Sequence, residues 1–326
     1  MPFSSLVGNE RIKKLLRRAV QENRIGQGLI LAGPRGVGKY RFALALAQAL
    51  NCERPSVGDA CGECLSCRRI AAGEHSDVQT FSPDGQFIKI GQMRGMSRES
   101  QFRPFEGRRR VSIIDEAHRL REEAANSILK TLEEPPPSSL IVLITSRPYA
   151  LIETIRSRCQ MLSFAPLSAA ELETYLKANF KRPPEEMRML ARLAQGSIGR
   201  ALEIDLGEHR DKRAALIELI EAVWIKRDVV RLMNAAEFLG RKLDKDQFEA
   251  HMQVLLTLLA DLFHLKLGAG ADSLTNADIA DRLASIARAV TLDQIMDWAE
   301  KIEELLQGLL RNINRHIALE GMFLTL

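Results

Sequence analysis

The sequence lacks any long hydrophobic run, and this absence excludes several classes of protein. No apolar stretch among the 326 residues reaches the length that a helix needs to cross a bilayer. The N-terminal stretch MPFSSLVGNERIKK has neither a long apolar core nor a cleavage site of small residues, so no secretory signal is predicted. We therefore expect a soluble, cytoplasmic protein without a membrane partner.

A strong excess of charge of one sign is also missing. The chain has 46 basic and 42 acidic residues, a formal net charge of +4, and this balance does not identify a nucleic-acid-binding protein. The local clusters Arg17–Arg18 and Arg108–Arg110 can touch phosphates in an assembly, or they simply lie on solvated surface. The function must therefore be sought in motifs.

Cysteine is scarce, and its distribution argues against a disulfide framework. Four of the five cysteines lie within residues 52–67, and they are Cys52, Cys61, Cys64 and Cys67. In a cytoplasmic chain this C-x8-C-x2-C-x2-C spacing predicts a structural zinc site, because four thiolates satisfy the tetrahedral preference of Zn²⁺ and leave no catalytic position open. Buried thiols without metal and a C-x-x-C redox pair are the alternatives. Cys159 stands alone and is expected in a packed core.

The segment GPRGVGKY at residues 33–40 reads as a phosphate-binding loop up to its last letter. An apolar run at 28–33 predicts a buried strand before the loop, and residues 39–50 continue as a helix, which is the context that such a loop requires. Its glycines permit a tight turn whose backbone N–H groups point at phosphate oxygens. These are Gly33, Gly36 and Gly38.

The two residues that follow the glycines decide what this loop can do. Lys39 is expected to reach the β- and γ-phosphates of a nucleotide, helped by the N-terminus of the following helix. Tyr40 occupies the position where a small Ser or Thr hydroxyl would ligate Mg²⁺. Loss of that ligand should weaken metal placement and phosphoryl transfer, whereas ATP or ADP can still bind through the backbone and Lys39.

A second motif, VSIIDEAH at residues 111–118, is an apolar strand that ends in two carboxylates. In a nucleotide-hydrolysing site Asp115 would hold Mg²⁺ and Glu116 would orient the attacking water. The alternative is a strand-to-helix turn with acidic residues near the helix N-terminus. We expect His118 at the surface or behind the site.

Arginines near two further segments are candidates for contact with a nucleotide. Arg156 and Arg158 follow a predicted strand at 139–146, and an arginine there can stabilise transition-state charge at a neighbouring subunit. Two surface arginines are the alternative. Arg200, in GSIGRAL, either reaches back to a nucleotide or is exposed.

The order of predicted elements indicates an α/β fold of the P-loop NTPase class with a parallel sheet. Strands are predicted at 28–33, 77–82, 109–117, 139–146 and 159–164, and helices between them at 39–50, 91–102 and 117–134. Continuous apolar strands alternating with helices are typical of a parallel sheet covered on both faces, and the ligand crevice should lie at the carboxyl ends of the strands.

Beyond Pro166 the pattern becomes helical throughout. Ser168, with Glu171 three residues on, predicts a capped helix at the start of a small helical unit at 168–205. A break is predicted at 267–273. Longer helices are predicted at 211–225, 228–240, 246–266, 276–289 and 292–317.

Taken together, the motifs resemble those of the AAA+ clamp-loader family. The stretches VGNE, GPRGVGK, CGECLSC, IIDEAHRL, AANSILKTLEEPP, TSRP, TIRSRC and GSIGRAL occur in family order over residues 7 to about 202, and NINRHIALEGMFL at 312–324 is similar to the family's collar. The resemblance implies three domains, namely an AAA+ P-loop domain at 1–166 with an inserted zinc module at 52–67, a helical lid at 167–207 and an all-helical collar for oligomerisation at 208–326.

The resemblance also implies partners and residue roles. Loaders of this family are hetero-pentamers of gamma or tau, delta and related subunits within the DNA polymerase III holoenzyme, and they open the ring-shaped sliding clamp and place it on primed DNA. Arg158 would complete a neighbouring ATP site in trans. Thr145 would match the sensor-1 position and Arg200 the sensor-2 position. Asp115 and Glu116 would be vestigial.

The position of Tyr40 selects among the subunits of this family. Motor subunits of the gamma and tau type carry Ser or Thr after the loop lysine, so Tyr40 favours a stationary subunit that is not an efficient ATPase by itself. The first alternative is an active gamma/tau-like motor or another AAA+ remodelling ATPase, since Lys39, Asp115 and Glu116 are all present. The second is a zinc-dependent DNA-binding module, which the near-neutral charge disfavours.

Overall fold

The computed structural model describes residues 1–309 and 313–324 of the chain. Two compact units make up the protein. The first comprises Met1–Arg182 and Ala194–Glu203, and the second comprises Pro183–Leu193 and Ile204–Leu326. No helix within the described ranges combines the length and the apolar character needed to span a bilayer. The predicted boundaries 1–166, 167–207 and 208–326 stay predictions.

The first unit is built on a five-stranded sheet, which confirms the α/β prediction. Its strands are β1 (Gly28–Ala32), β2 (Val78–Phe81), β3 (Arg110–Ile114), β4 (Ser139–Thr145) and β5 (Gln160–Ser163). They pair in the order β2-β3-β4-β1-β5, and every pair is parallel. Every residue of β1 and β4 is buried, as expected when helices cover both faces of a sheet.

The helices up to residue 203 flank the sheet or follow it. In chain order they are α1 (Glu10–Gln21), α2 (Lys39–Asn51), α3 (Leu65–Ala72), α4 (Ile90–Ser100), α5 (Glu122–Glu133), α6 (Glu153–Arg156), α7 (Ala169–Asn179), α8 (Pro184–Leu193) and α9 (Ile198–Glu203). Of these, α8 belongs to the second unit. The predicted cap of α7 is confirmed, because Glu171 N–H donates to Ser168 Oγ at 3.2 Å and Ser168 N–H donates to Glu171 Oε2 at 2.8 Å.

The predicted helix over 117–134 is wrong at its start. The backbone of Glu116 is left-handed, with φ +49°, and it directs the chain into a short 3-10 turn at Ala117–Arg119. Leu120 and Arg121 are then extended, so α5 begins only at Glu122. The helical spacing of apolar residues continues across this break, which is why periodicity alone misses it.

The second unit is all-helical in its described part. From residue 204 onward its helices are α10 (Leu206–Glu221), α11 (Val229–Glu237), α12 (Lys245–Lys266), α13 (Ala280–Ala289), α14 (Leu292–Gly308) and α15 (Arg315–Leu324). Trp298 and Phe248 are fully buried at its core. The break at 267–273 is confirmed, whereas the single helix predicted over 292–317 is wrong, because α14 ends at Gly308 and α15 begins at Arg315. Residues 310–312, within that prediction, lie outside the described residues.

Candidate functional site

The glycine-rich loop leaves the carboxyl end of β1 and turns directly into α2. The Gly33 N–H donates to Thr145 O at 3.1 Å, which holds the start of the loop beside the end of β4. The glycines have φ values of +148° at Gly33, +75° at Gly36 and +94° at Gly38. Residues with a side chain rarely adopt such positive φ values, so the glycines make the turn possible. The loop thus lies where the sequence predicts a ligand crevice.

The loop also packs against the start of α9. The Gly199 N–H donates to Gly36 O at 3.0 Å. A Cβ atom on Gly36 would lie 2.2 Å from Ser197 Oγ and 3.3 Å from Gly199 Cα, so only glycine fits there. The close approach places α9 on one side of the crevice.

A cleft of about 300 Å³ opens at the carboxyl edge of the sheet. It brings together most of the residues predicted for a nucleotide site, namely Gly36, Gly38, Lys39, Tyr40, Asp115, Glu116 and Thr145. Gly33 and Arg200 are not among the residues that line it. The Arg200 guanidinium instead donates to Gln195 Oε1 at 3.0 Å, and burial lowers its pKa. The assigned role of Arg200 is therefore the least supported among the predicted site residues.

Lys39 is the central cation of the cleft. Its side chain is almost wholly buried, and its Nζ donates to Gly33 O and Pro34 O, both at 2.6 Å. Burial lowers its pKa to about 8, and the nearby carboxylate of Asp115 only partly opposes this shift. A buried ammonium with a lowered pKa indicates an unneutralised positive charge, which the phosphates of a nucleotide would neutralise.

Replacing Lys39 with methionine is expected to stabilise the nucleotide-free protein. The native pKa of about 8 lies below the usual 10.5. Below pH 8 burial of the charge costs the native state about 3 kcal/mol at 1.36 kcal/mol per pKa unit. That cost declines as the pH rises from 8 and vanishes above 10.5. Chemical denaturation of the wild type and of Lys39→Met from pH 6 to 10 measures this cost as the difference between their free energies of unfolding. A stability difference that does not shrink above pH 8 would contradict the assignment.

The two predicted carboxylates stand side by side after β3. Burial raises the pKa of Asp115, while its Oδ1 accepts the Glu116 N–H at 2.9 Å. Glu116 Oε2 lies 3.1 Å from Arg119 Nε, so the carboxylate of Glu116 is already engaged in an ion pair. Asp115 is therefore the carboxylate of this pair that fits a metal ligand opposite Lys39.

Tyr40 points its hydroxyl at the sheet. Its Oη lies 3.1 Å from Thr80 Oγ1 on β2, and its ring remains partly exposed. A Ser or Thr hydroxyl at this position would end near the phosphate loop, whereas the phenol oxygen lies several ångströms further out. The hydroxyl of Tyr40 is thus engaged elsewhere and does not replace the small metal ligand.

Thr145 and His118 form a polar pair at the end of β4. Thr145 is buried, its Oγ1 accepts the Arg147 N–H at 3.0 Å, and it lies 3.3 Å from His118 Nδ1. Burial lowers the pKa of His118, which favours the neutral imidazole. His118 lines the cleft, whereas the sequence predicted it at the surface or behind the site. The 3-10 turn after Asp115 and Glu116, which the sequence did not reveal, returns His118 to the site.

Arg158 lies at the opposite edge of the sheet. Its carbonyl oxygen is 3.5 Å from the position of a Cβ on Gly28, the first residue of β1, whereas the phosphate loop follows the last residue. Since β1 has five residues, the two sites are separated by a strand about 16 Å long. The guanidinium pairs with Glu133 Oε1 at 2.7 Å and donates to Thr154 O at 2.9 Å. Arg158 is thus remote from the cleft of its own chain.

The four clustered cysteines converge as the spacing predicts. Their sulfur atoms all lie within 4.8 Å of one another, and Cys52 Sγ is 4.0 Å from Cys64 Sγ. Thiolates bound to one zinc ion at about 2.3 Å lie roughly 3.8 Å apart, so the arrangement fits a tetrahedral metal. Cys159 is buried elsewhere, and burial raises its pKa to about 12. The four cysteines can therefore bind one metal ion.

The backbone of the module points N–H groups at the sulfurs. Cys61 N–H donates to Cys52 Sγ at 3.3 Å, and Cys64 N–H donates to Cys61 Sγ at 3.3 Å. Hydrogen bonds from the backbone of Glu63 and Cys64 lower the pKa of Cys61 to about 6. Burial raises the pKa values of Cys52 and Cys67, so the half-buried Cys61 is more readily deprotonated than either of them.

Comparison with known proteins assigns the chain to a family. A family model described as DNA polymerase III, delta subunit, matches residues 8–168, and one described as the C-terminal part of the delta subunit matches 208–326. The DNA polymerase III delta-prime subunit of Bacillus subtilis is 29% identical over 317 residues, covering 97% of this chain and 95% of that protein. The Escherichia coli delta-prime subunit is 28% identical over 309 residues, covering 93% and 90%.

Relatives with tau or gamma in their names are also similar to this chain. The tau subunit of Salmonella typhimurium is 30% identical over 314 residues, but this chain covers only 48% of it. A solved structure of a DNA polymerase III gamma-subunit-related protein from Thermotoga maritima is 19% identical to this chain, and the match covers 96% of this chain and 97% of that one with a TM-score of 0.48. The parallel order of the five strands establishes the fold class. Full-length agreement with delta-prime subunits and both family models show that the chain belongs to the delta-prime family of DNA polymerase III clamp-loader subunits.

Proposed function

We propose that the chain is a stationary subunit of a hetero-pentameric clamp loader, assembled with gamma or tau and delta subunits in the cytoplasm. In that assembly it helps to place the sliding clamp on primed DNA. The observation that carries the proposal is the position of Arg158, which lies a strand's length from the phosphate loop of its own chain and is partly exposed beside Glu133. An arginine in this position is suited to stabilise the transition-state charge on a nucleotide bound to a neighbouring subunit.

The chain's own cleft is proposed to bind nucleotide without hydrolysing it efficiently. Backbone N–H groups of the loop and Lys39 would hold the phosphates of ATP or ADP, and Mg²⁺ would contribute charge neutralisation. Two observations support weak hydrolysis. Tyr40 engages Thr80 and leaves no small hydroxyl as a metal ligand, and burial raises the pKa of Asp115, which disfavours its charged form. Glu116 is paired with Arg119 and would be vestigial.

The cysteine module is proposed to hold a structural zinc ion. Zinc would crosslink the segment between α2 and α3 through Cys52, Cys61, Cys64 and Cys67. The convergence of the sulfurs supports a closed site with no position for substrate. A stable module supports the end of α2, the helix that begins at the phosphate loop.

One alternative to the stationary subunit is an active motor subunit. It is favoured by the cleft, which brings together Lys39, Asp115 and Glu116. Lys39→Ala in the reconstituted loader decides between them. We expect weaker ATP binding by the isolated chain, by roughly tenfold or more, because the loss of one charged hydrogen bond costs about 1.5–3 kcal/mol. ATP turnover by the assembled loader should remain unchanged. Loss of turnover would reclassify the chain as a motor.

Tyr40→Ser is the complementary change. Restoring a small hydroxyl should strengthen Mg²⁺-dependent nucleotide binding by the isolated chain several-fold, since one hard oxygen ligand is returned. Titration of a fluorescent ATP analogue with and without Mg²⁺ measures this, with Tyr40→Phe as the matched control that removes only the hydroxyl. A Tyr40→Phe variant that binds as tightly as Tyr40→Ser would show that the contact with Thr80, and not the missing ligand, limits binding.

A further inference from the structure

A second cleft opens at the amino edge of the sheet in the first unit, away from the phosphate loop. It encloses about 770 Å³, a volume suited to a short peptide or small molecule. Apolar side chains from α1, α2 and the cysteine module help to line it, among them Val20, Leu50, Pro55 and Val57. The nucleotide site and Arg158 do not use this cleft.

Two arginines, Arg108 and Arg109, line the same cleft. The Asn51 side chain fixes the backbone that carries them, because its Oδ1 accepts the N–H groups of Arg108 at 2.8 Å and Arg109 at 2.9 Å. Among the described residues that line the cleft, none is acidic. The lining of the cleft therefore combines two cationic side chains with several apolar ones and carries no acidic group.

Arg109 is not electrostatically satisfied. Its Nη1 atom is buried, and within residues 1–309 and 313–324 it meets no hydrogen-bond acceptor. Burial also lowers the pKa of this guanidinium, which agrees with a charge that lacks a counter-ion. Arg109 as a whole is only half-buried and lines the cleft, so a carboxylate in the cleft would meet the accessible part of its guanidinium and supply the opposite charge.

Val57 is held in an unusual conformation at the rim. Its φ is +48°, and Val57–Gly58 forms a tight turn closed by hydrogen bonds between Ser56 and Asp59 at 3.0 and 2.9 Å. Branched side chains rarely adopt a left-handed backbone, where Asn or Gly is favoured. The side chain nevertheless remains 67% exposed, so it gains little from packing within the chain. An exposed apolar side chain at this position is available for contact with a ligand.

We propose that this cleft binds an acidic, apolar peptide segment of another protein, with a carboxylate on Arg109 and an aliphatic or aromatic side chain on Val57 and Leu50. A nucleic-acid backbone would offer phosphates to Arg108 and Arg109 but no apolar side chain for the apolar part of the lining. A peptide with Asp or Glu beside Leu, Ile or Phe supplies both. The proposal does not depend on the clamp-loader role.

Selection from a library of random dodecapeptides displayed on phage tests the proposal, with the full chain as target and its Arg109→Met variant for counter-selection. We expect enriched sequences that combine an acidic residue with a neighbouring large apolar one. A synthetic, fluorescein-labelled copy should bind the wild-type chain, and Arg109→Met should weaken its affinity about tenfold or more. Arg11→Met, which removes an exposed arginine of α1 outside the cleft, is the matched control and should bind normally.

The variant Val57→Asn separates binding from folding. Asn tolerates the left-handed turn, so thermal unfolding should be unchanged or shifted upward while peptide affinity falls several-fold. Failure to enrich any peptide that depends on Arg109 would overturn the proposal. It would also be overturned if a labelled single-stranded oligonucleotide bound in an Arg109-dependent manner with steep salt dependence, since nucleic acid would then be the ligand.

Discussion

ATP hydrolysis at the site next to this subunit is expected to fall about 10³-fold when Arg158 is replaced by alanine. The guanidinium lies at the amino edge of the sheet, remote from its own phosphate loop, and its only described ion pair is with Glu133 at 2.7 Å. Single-turnover hydrolysis by the reconstituted loader, with clamp and primed DNA, measures the effect. Arg158→Lys should recover only part of the activity, because lysine lacks the planar fork of donors.

Two controls distinguish a role in trans from damage to the subunit. Arg158 and Glu133 are both partly exposed, so breaking their ion pair should cost the isolated chain less than about 1 kcal/mol. Glu133→Gln removes the partner but keeps the guanidinium, and it should leave hydrolysis intact. If Arg158→Ala supported normal turnover, or if Glu133→Gln abolished it equally, the proposed contribution to a neighbouring site would be wrong.

Loss of one clustered cysteine is expected to remove the metal and to destabilise the first unit by several kcal/mol. Cys61→Ser replaces the most exposed of the four ligands, so little apolar packing is lost with it. Zinc binding supplies on the order of 10 kcal/mol in small zinc modules, and the module adjoins α2 and α3. Inductively coupled plasma mass spectrometry gives the metal content, and thermal unfolding with and without a chelator gives the stability.

Cys159→Ala is the matched control for this prediction. Cys159 is a buried cysteine outside the cluster, so its replacement should cost some packing while one zinc ion per chain is retained. The chelator should lower the melting temperature of the wild type and of Cys159→Ala but not that of Cys61→Ser. Wild-type protein purified without bound metal and insensitive to metal addition would show that the cluster is a group of packed thiols.

Local features of the sequence were sufficient for much of the first unit. Continuous apolar runs identified β1 and β4 to within a few residues, because a strand buried on both faces must be apolar throughout. The shorter edge strands β2 and β5 were also predicted, although their sequences are mixed and their residues partly exposed. The spacing of Cys61, Cys64 and Cys67 predicted a cluster because a short loop forces their sulfurs together. Helix boundaries were less predictable. The left-handed turn at Glu116 and the break before Arg315 interrupt sequences whose periodicity continues unchanged.

The sequence by itself determined the phosphate loop, the cysteine cluster and the missing hydroxyl at Tyr40, because each depends on residues close together in the chain. Only the tertiary structure decided which distant residues meet. Parallel strand pairing brings Lys39 to Asp115 and Thr145, and it separates Arg158 from all three. It also leaves Arg109 Nη1 buried without an acceptor among the described residues, in an arginine that lines the same cleft as Val57. Such contacts arise from the register and order of strands, which no local pattern encodes.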